Sequence, residues 1–302
     1  GESSRQGFFL RNGGYYIGLN DYWDLELRGD IYTNLSWAAK ANSRYINRYR
    51  YSGNFQLSWT QNYWSEKELP DYRASRDFFV RWSHTKSPKS RPNTSFSANV
   101  NAGSSSFNQY NTYSTADRLN NTLSSNISFA KTFGKKFNFS TNLRHSQNTL
   151  TRQVNLQLPE IAFSVNRIYP FRSKNYVGKL KWYQNISVNY NLNARNEINA
   201  LDTNIMQSFV LDSMTNGVRH TIPIQSSITI LKYITWSNSA NFTERWYLKT
   251  IRRHWSTTEN KMIEETKSGA EAAHEFSFQS SINTRLYGMV QFKRFPIRAI
   301  RH

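Results

Sequence analysis

Residues 5–37 read RQGFFLRNGGYYIGLNDYWDLELRGDIYTNLSW. Side chains alternate between the two faces of a β-strand, so residues two apart share a face. In the second half of the stretch, one face is apolar and the other is charged. The apolar residues are Trp23, Leu25, Leu27 and Ile31, and the charged residues are Asp24, Glu26, Arg28 and Asp30. With a typical turn pair at Asn20-Asp21, the stretch predicts a β-hairpin that has one apolar face and one charged face.

The same alternation recurs along most of the chain. It predicts roughly 13 or 14 antiparallel strands, several of them with ten or more residues. Strands of about 9 to 11 residues match a tilted crossing of a bilayer, whereas ordinary globular strands average about five or six. The length of the strands therefore favours an all-β, antiparallel transmembrane β-barrel.

The predicted connections also alternate in length. Those near residues 20, 48, 89, 134, 232 and 288 are short, and those near 70, 110, 207 and 262 are long and polar. Short turns at one edge and long loops at the other are typical of an outer-membrane barrel, although the short connections at Thr33 and Asn148 depart from this rule. The predicted long loops are Trp64–Arg76, Gly103–Asn120, Glu197–Gly217 and Arg252–Ala273, and Ile205–Leu211 is a candidate helical turn within the third.

The composition agrees with a barrel and excludes other classes. The chain has 302 residues, no cysteine and a net charge of +19, and its mean hydropathy is −0.72. No run of about 18 apolar residues occurs, so no transmembrane helix is expected. A barrel strand escapes a hydropathy scan because every second residue is polar. The lack of cysteine excludes disulfides, thiolate metal sites and a cysteine nucleophile.

A soluble all-β protein, such as a large sandwich or a solenoid, is an alternative that also produces alternation. Strand length and the asymmetry of the connections count against it, and no repeat of fixed short period is present. The excess of basic residues leaves two kinds of partner open. One is nucleic acid, bound by a soluble basic β-protein, and the other is an anionic lipid or glycan.

No catalytic or metal-binding motif is recognisable. The six histidines are scattered along the chain at His84, His145, His220, His254, His274 and His302. The HExxH, GxSxG and Walker patterns are all absent. We therefore predict no enzyme activity, no metal site and no cofactor.

Several short motifs follow one another in a fixed order along nearly the whole chain. They are Gly7-Phe8-Phe9-Leu10, Gly13-Gly14-Tyr15-Tyr16, Asp21-Tyr22-Trp23-Asp24-Leu25, Gly29-Asp30-Ile31-Tyr32-Thr33, Trp82-Ser83-His84 with Pro88-Lys89, Tyr169-Pro170-Phe171 with Val177-Gly178-Lys179 and Trp182-Tyr183, and Phe292-Lys293-Arg294-Phe295-Pro296-Ile297 with Ala299-Ile300-Arg301-His302. In this order they resemble the LptD (OstA-like) lipopolysaccharide assembly proteins, in particular the branch found in Bacteroidota-type bacteria.

The resemblance implies a large barrel in the outer membrane of a Gram-negative cell, surrounded by outer-membrane lipid. Such a barrel receives lipopolysaccharide from the proteins of a periplasmic bridge and inserts it into the outer leaflet through a lateral opening between the first and last strands. An LptE-like lipoprotein plugs the lumen, and no nucleic acid takes part. A passive porin or a TonB-dependent-type uptake barrel is the alternative function.

The resemblance also implies that residues 1–302 are part of a single outer-membrane barrel domain. The periplasmic β-jellyroll of the family has no counterpart in this sequence, and neither do its first and C-terminal barrel strands. We therefore expect an incomplete barrel of roughly 13 or 14 strands. Its unpaired edges would expose backbone polar groups in lipid if it stood alone.

Basic side chains on the polar strand faces are the candidate contacts for lipopolysaccharide, because arginine binds phosphate through paired hydrogen bonds. These lumenal candidates are Arg28, Lys40, Arg44, Arg81, Arg144, Arg195 and Arg285. The alternative is that they are solvated charges that tune a pore. Further basic residues in predicted short turns are interpreted as membrane-flanking charges, namely Lys86, Lys89, Arg91, Arg172, Lys174 and Lys179.

The paired glycines Gly13 and Gly14 are the candidate gate residues. Glycines inside a strand weaken its packing or allow another backbone to approach closely. On the resemblance, the hairpin of residues 5–37 lies next to the lateral opening. We therefore predict that Gly13 and Gly14 weaken strand pairing near the gate.

Overall fold

The computed structural model describes residues 1–3, 6–65, 68–112, 115–173, 177–178, 180–205, 207, 214–231, 233–258, 260–284, 289–291 and 299–301. Its regular secondary structure is almost entirely antiparallel β-strand. Within these ranges, helix is confined to α1 (Phe107–Asn111), α2 (Thr115–Leu119) and a 3-10 turn at Trp182–Asn185. No helix in the described ranges is long and apolar enough to cross a membrane.

Fourteen strands form a sheet in which every strand is hydrogen-bonded to its neighbours along the chain. They are β1 (Glu2–Ser3), β2 (Gly7–Asn20), β3 (Trp23–Tyr32), β4 (Trp37–Asn47), β5 (Tyr51–Tyr63), β6 (Ala74–Lys86), β7 (Thr94–Gly103), β8 (Thr122–Phe133), β9 (Phe137–Asn148), β10 (Gln153–Ile168), β11 (Ser187–Leu201), β12 (Thr215–Ile230), β13 (Ile234–Ser256) and β14 (Lys261–Thr284). A separate ribbon pairs β15 (Met289–Gln291) with β16 (Ala299–Arg301). The predicted all-β antiparallel fold is confirmed.

The chain divides into two compact units. Unit one comprises residues 1–134, 138–162 and 193–217, and unit two comprises residues 135–137, 163–192 and 218–302. Unit one therefore contains β1–β8, most of β9 and parts of β10 and β11. Unit two contains the ends of β10 and β11, most of β12, and the long strands β13 and β14.

In unit one, the strand register aligns the polar residues of β3–β6 into rows that cross all four strands. The rows are Asp24–Arg44–Asn54–Ser83, Glu26–Asn42–Gln56–Arg81, Arg28–Lys40–Ser58–Phe79 and Asp30–Ala38–Thr60–Asp77. Leu27, Leu57 and Val80 belong to a row on the opposite face. Each sheet face is therefore mainly polar or mainly apolar across these strands, with Ala38 and Phe79 as apolar members of the polar rows.

Burial in unit one is inverted relative to a soluble protein. Asp30, Thr60 and Asp77 on the polar face are at most 4% exposed, whereas Ile31 and Trp59 on the apolar face are 60% and 46% exposed. A soluble sheet protein would bury its apolar face instead. The inversion is the arrangement of a transmembrane β-barrel, whose apolar side chains face lipid.

Strands β2 and β3 approach each other closely at Gly14. A β-bulge interrupts the pairing of β2 with β3 between Leu10 and Gly13, and Asn12 within the bulge has a φ of 57°. A Cβ atom added at Gly14 would lie 1.8 Å from the Leu27 carbonyl oxygen, whereas the atom nearest to a Cβ at Gly13 is 4.0 Å away. Of the two glycines, only Gly14 is required by this close approach.

The prediction of a long loop at Arg252–Ala273 is wrong. Strands β13 and β14 contain 23 and 24 residues and pair from Ile234 with Thr284 to Ser256 with Lys261, with one irregularity between Tyr247 and Lys249. Such strands exceed a tilted bilayer crossing by roughly twelve residues. In the surplus part, Arg253 and Trp255 share one face, and His254 and its partner Ile263 share the other, so both faces mix polar and apolar side chains. The period-two signal is therefore lost where the hairpin is longest.

The other three predicted loops are present with different bounds or content. The connection after β5 spans residues 64–73, and the loop at Gly103–Asn120 contains α1 and α2. The loop at Glu197–Gly217 is shorter than predicted, because β11 continues to Leu201 and β12 begins at Thr215. The candidate helical turn at Ile205–Leu211 lies largely outside the described residues.

Candidate functional site

Four of the predicted lumenal cations share the polar face of β3–β6. Arg28 pairs with Lys40 across β3 and β4, and Arg44 and Arg81 lie in neighbouring rows. Two like charges directly opposite each other on adjacent strands repel. The Arg28–Lys40 pair is therefore compatible with this face only if each cation has an anionic neighbour.

Carboxylates on β3 supply those neighbours. The Arg28 guanidinium donates to the Glu26 carboxylate, and Lys40 Nζ lies 2.7 Å from Asp30 Oδ2. Asp30 is 3% exposed, and its Oδ1 accepts a hydrogen bond from the backbone N–H of Asn12 at 2.8 Å. Asp30 therefore neutralises Lys40 and also fixes the bulge beside Gly13 and Gly14.

Two of the cations farther along the chain are also paired. Arg144 lies 3.3 Å from Glu160, and Arg195 lies 2.8 Å from Glu197. The pairs are half-exposed, so each adds little to stability. The side chains are nevertheless partly neutralised, and a phosphate would have to displace the carboxylate to bind in a bidentate manner.

Arg44 and Arg81 have neutral or backbone-mediated contacts. The backbone N–H of Arg44 donates to Asp24 Oδ1 at 2.8 Å. Arg81 Nε donates to Asn101 Oδ1 at 3.2 Å. Among the residues that the structure describes, neither guanidinium forms an ion pair. Arg285, the seventh predicted contact, lies outside the described residues.

The connection between β7 and β8 folds back onto the polar face of β6, which the sequence did not predict. Asp77 is 1% exposed, and its carboxylate accepts hydrogen bonds from Ser75 Oγ at 2.8 Å, from Asn111 Nδ2 at 3.0 Å and from Ser106 Oγ. In addition, the Phe107 ring stacks on the ring of Phe79 at a centroid distance of 4.9 Å. An aromatic residue in this otherwise polar loop was the available sequence signal.

The same loop is tied to three further parts of unit one. Ser105 Oγ donates to the carboxylate of Asp202 and accepts from Gln147 Nε2 at 3.0 Å. Asn62 Nδ2 donates to Asn111 Oδ1 at 2.8 Å. The loop therefore links β5, β6, β9 and the residue that follows β11, and it covers part of the polar face.

Unit two contains a polar cleft of about 450 Å³. It is formed by β10, the start of β11, β12, β13 and β14 and by the connection between β10 and β11. Hydroxyl, amide and guanidinium groups dominate its lining, which comprises Arg167, Tyr169, Arg172, Asn185, Ser187, Gln225, Ser226, Ser227, Ser237, Asn238, Ser239, Gln279 and Ser281. No carboxylate is among these residues.

Two arginines of the cleft are held by neutral groups. An Nη atom of Arg167 donates to Gln225 Oε1 at 3.0 Å. Arg172 Nε donates to the Gln184 carbonyl at 3.4 Å, and its guanidinium carbon lies 3.8 Å from the centroid of the Tyr169 ring. Within the described ranges, no carboxylate lies within ion-pair distance of either side chain.

Sequence reasoning did not find this cleft. Arg167 is not among the residues predicted to contact lipopolysaccharide, and Arg172 is predicted to be a membrane-flanking charge. The cleft combines residues that are more than 100 positions apart, so local spacing contains no signal for it. Across the described residues, no group of three His, Asp or Glu side chains is placed to hold a metal ion.

The antiparallel sheet, its long strands and its inverted burial define an outer-membrane β-barrel protein. The family model described as LptD protein matches residues 1–302. The chain therefore belongs to the LptD family, whose members act in lipopolysaccharide transport and assembly at the outer membrane. The family prediction and the outer-membrane localisation are confirmed. No curated protein matches the chain.

Proposed function

We propose that this chain contributes to an outer-membrane translocon that inserts lipopolysaccharide into the outer leaflet. The observation that carries the proposal is the LptD family match over residues 1–302. The inverted burial of unit one supports it, because a polar, charged face behind a lipid-facing wall offers a path for a hydrophilic saccharide. The protein acts by binding and passage, without catalytic turnover.

The partners follow from the same proposal. Lipopolysaccharide arrives from the periplasmic bridge proteins, and an LptE-like lipoprotein occupies the lumen. The cations at Arg28, Lys40, Arg44, Arg81, Arg144, Arg195 and Arg285 remain the predicted lumenal contacts. Arg44 and Arg81 are favoured among the described ones, because their guanidiniums form no ion pair there.

The bulge at Asn12 and the absence of side chains at Gly13 and Gly14 support a gate role for β2. A strand that lacks side chains at two successive positions offers little cross-strand packing, so its pairing opens more readily. In this proposal, residues 1–302 form one part of a larger barrel domain. The strands that complete the barrel would lie on the other side of the gate.

Depletion of the full-length protein tests the proposed function. We expect lipopolysaccharide at the cell surface to fall in proportion to the protein and newly made molecules to accumulate on the periplasmic side. Surface labelling of lipopolysaccharide after repression of the gene measures this. Restoring the wild-type gene provides the control, and an unrelated outer-membrane porin should retain its level. Normal surface lipopolysaccharide in depleted cells would overturn the proposal.

A further inference from the structure

We infer that the polar cleft of unit two is a binding site for a phosphorylated saccharide. Its volume of about 450 Å³ is within the range of small-molecule sites, about 300–1,000 Å³. The charge pattern provides the first argument. Arg167 and Arg172 line the same cleft, and the structure assigns neither of them a carboxylate partner in the described parts of the chain.

This lack of carboxylates sets the cleft apart from the paired basic residues of the sheet, and only Arg44 and Arg81 among the predicted lumenal contacts in the described chain share it. Elsewhere Arg28, Lys40, Arg144, Arg195 and Arg245 each contact a carboxylate. A guanidinium held only by neutral acceptors keeps its full positive charge and free N–H donors. An anion can therefore bind there without first displacing a protein carboxylate.

The two guanidiniums are also oriented in advance. Stacking on Tyr169 places Arg172 over an aromatic face at 3.8 Å, and the amide oxygen of Gln225 holds Arg167. Because the planar fork of arginine is restrained in both cases, less side-chain freedom is lost when a phosphate binds. Bidentate recognition of phosphate is the usual result of such a geometry.

The remainder of the lining identifies the neutral part of the ligand. Asn185, Ser237, Ser239 and Gln279 offer both donors and acceptors. Hydroxyl and carboxamide groups of this kind suit sugar hydroxyls, which also donate and accept. A saccharide that bears a phosphate satisfies both parts of the lining, whereas a simple anion satisfies only the arginines.

Identification of this ligand with the saccharide head of lipopolysaccharide rests on the proposed function, but the existence of the site does not. The cleft would hold a phosphorylated sugar of the transported lipid during passage. A free sugar phosphate from solution contains the same chemistry. The experiment must therefore separate the two sources as well as test the site.

Binding to the purified full-length protein in detergent tests the site. The probes are glucosamine 1-phosphate, glucosamine and inorganic phosphate, titrated by calorimetry. We expect glucosamine 1-phosphate to bind more tightly than either of the other two. In the Arg167→Gln/Arg172→Gln variant, its affinity should fall at least about tenfold, because two charge-assisted contacts are lost.

Matched variants separate charge loss from misfolding. Arg253→Gln removes an exposed arginine of β13 that pairs with Glu264, and we expect it to bind the sugar phosphate as the wild type does. Arg172→Lys keeps the charge without the planar fork and should retain intermediate affinity. Each variant must also keep the heat-modifiable gel mobility of a folded barrel. Unchanged affinity in the folded double variant, or equal binding of glucosamine, would overturn the site.

A photo-reactive residue at Ser237 in living cells identifies the source of the sugar. Crosslinks to lipopolysaccharide would assign the cleft to the transported lipid, and saturation by sugar phosphate without such crosslinks would contradict that assignment. These experiments distinguish failure of the proposed site from failure of the proposed function. If depletion leaves surface lipopolysaccharide normal but the titrations behave as expected, only the proposed function is wrong. If depletion blocks export but the double variant binds normally, only the site is wrong.

Discussion

Arg28 and Lys40 of unit one and the two arginines of the cleft in unit two have different neighbours. On β3 and β4, Arg28 and Lys40 lie opposite each other. The carboxylate of Glu26 neutralises Arg28, and that of Asp30 neutralises Lys40. In the cleft, the contacts of Arg167 and Arg172 with described residues are to amide, carbonyl and aromatic groups. A net charge of +19 therefore describes two populations of basic residues. Paired cations are neutralised within the sheet, whereas unpaired cations are available to a ligand.

The largest expected effect comes from a substitution at Gly14, which lies opposite Arg28 on the neighbouring strand. In Gly14→Ala, the new Cβ would meet the Leu27 carbonyl at 1.8 Å, so β2 and β3 must separate. We expect the free energy of unfolding to fall by about 4 kcal/mol, measured by urea titration of the full-length protein in lipid vesicles.

Gly13→Ala is the matched control, since a Cβ there is 4.0 Å from its nearest neighbour. We expect a much smaller loss of stability from it. Lipid export separates the gate role from stability. If both variants fold but export lipopolysaccharide at the wild-type rate, a role for β2 pairing in the gate is contradicted.

Removal of the buried carboxylate of unit one has the next largest effect. Asp30→Ala leaves Lys40 without its anion and removes the acceptor of the Asn12 N–H. Asp30 is 3% exposed, so we expect a loss of about 2–3 kcal/mol in the same titration.

Two further variants test the reason for that loss. Adding Lys40→Met to Asp30→Ala should restore part of the stability, because the unpaired charge is then removed. Glu26→Ala breaks the more exposed ion pair with Arg28 and should destabilise the protein less than Asp30→Ala does. Equal losses from Asp30→Ala and Glu26→Ala would show that burial does not distinguish the two pairs.

The smallest expected effect on stability lies in the cleft. Arg167→Gln removes a cation that has no carboxylate partner among the described residues. We expect the free energy of unfolding to change by less than about 0.5 kcal/mol, while the binding of glucosamine 1-phosphate weakens. A stability loss comparable to that of Asp30→Ala would show that Arg167 has a structural role and would remove the contrast between the two units.

The hairpin of β13 and β14 shows where sequence reasoning succeeded and where it failed. Phe276, Phe278 and Ile282 alternate with polar residues, and this part was predicted as a strand. Residues 252–273 no longer alternate between polar and apolar side chains in this way, and they were predicted as a loop. Lipid enforces alternation only where a strand crosses it. A strand that continues outside the membrane follows no such rule, so its sequence resembles that of a charged loop.

The candidate site residues show the same division between what a local pattern reveals and what only tertiary contacts reveal. Alternation was sufficient to place Arg28, Lys40 and Arg81 on polar faces. It did not reveal that Glu26 and Asp30 neutralise the first two, or that Phe79 stacks with Phe107 on the polar face. Arg167 and Gln225 are 58 positions apart, and no local pattern connects them.

The sequence by itself determined the class of this protein. Successive side chains point to opposite faces of a strand, so the polar and apolar faces can be recognised within any single strand. The tertiary structure decided which residues are neighbours. Register between strands depends on pairing across the whole sheet, and a slip of one residue would exchange the faces. The availability of each cation follows from that register. The alternation in residues 5–37 therefore predicted a hairpin of a barrel wall. Only the pairing of the strands placed Asp30 beside Lys40 and left Arg167 and Arg172 without carboxylate neighbours in the described chain.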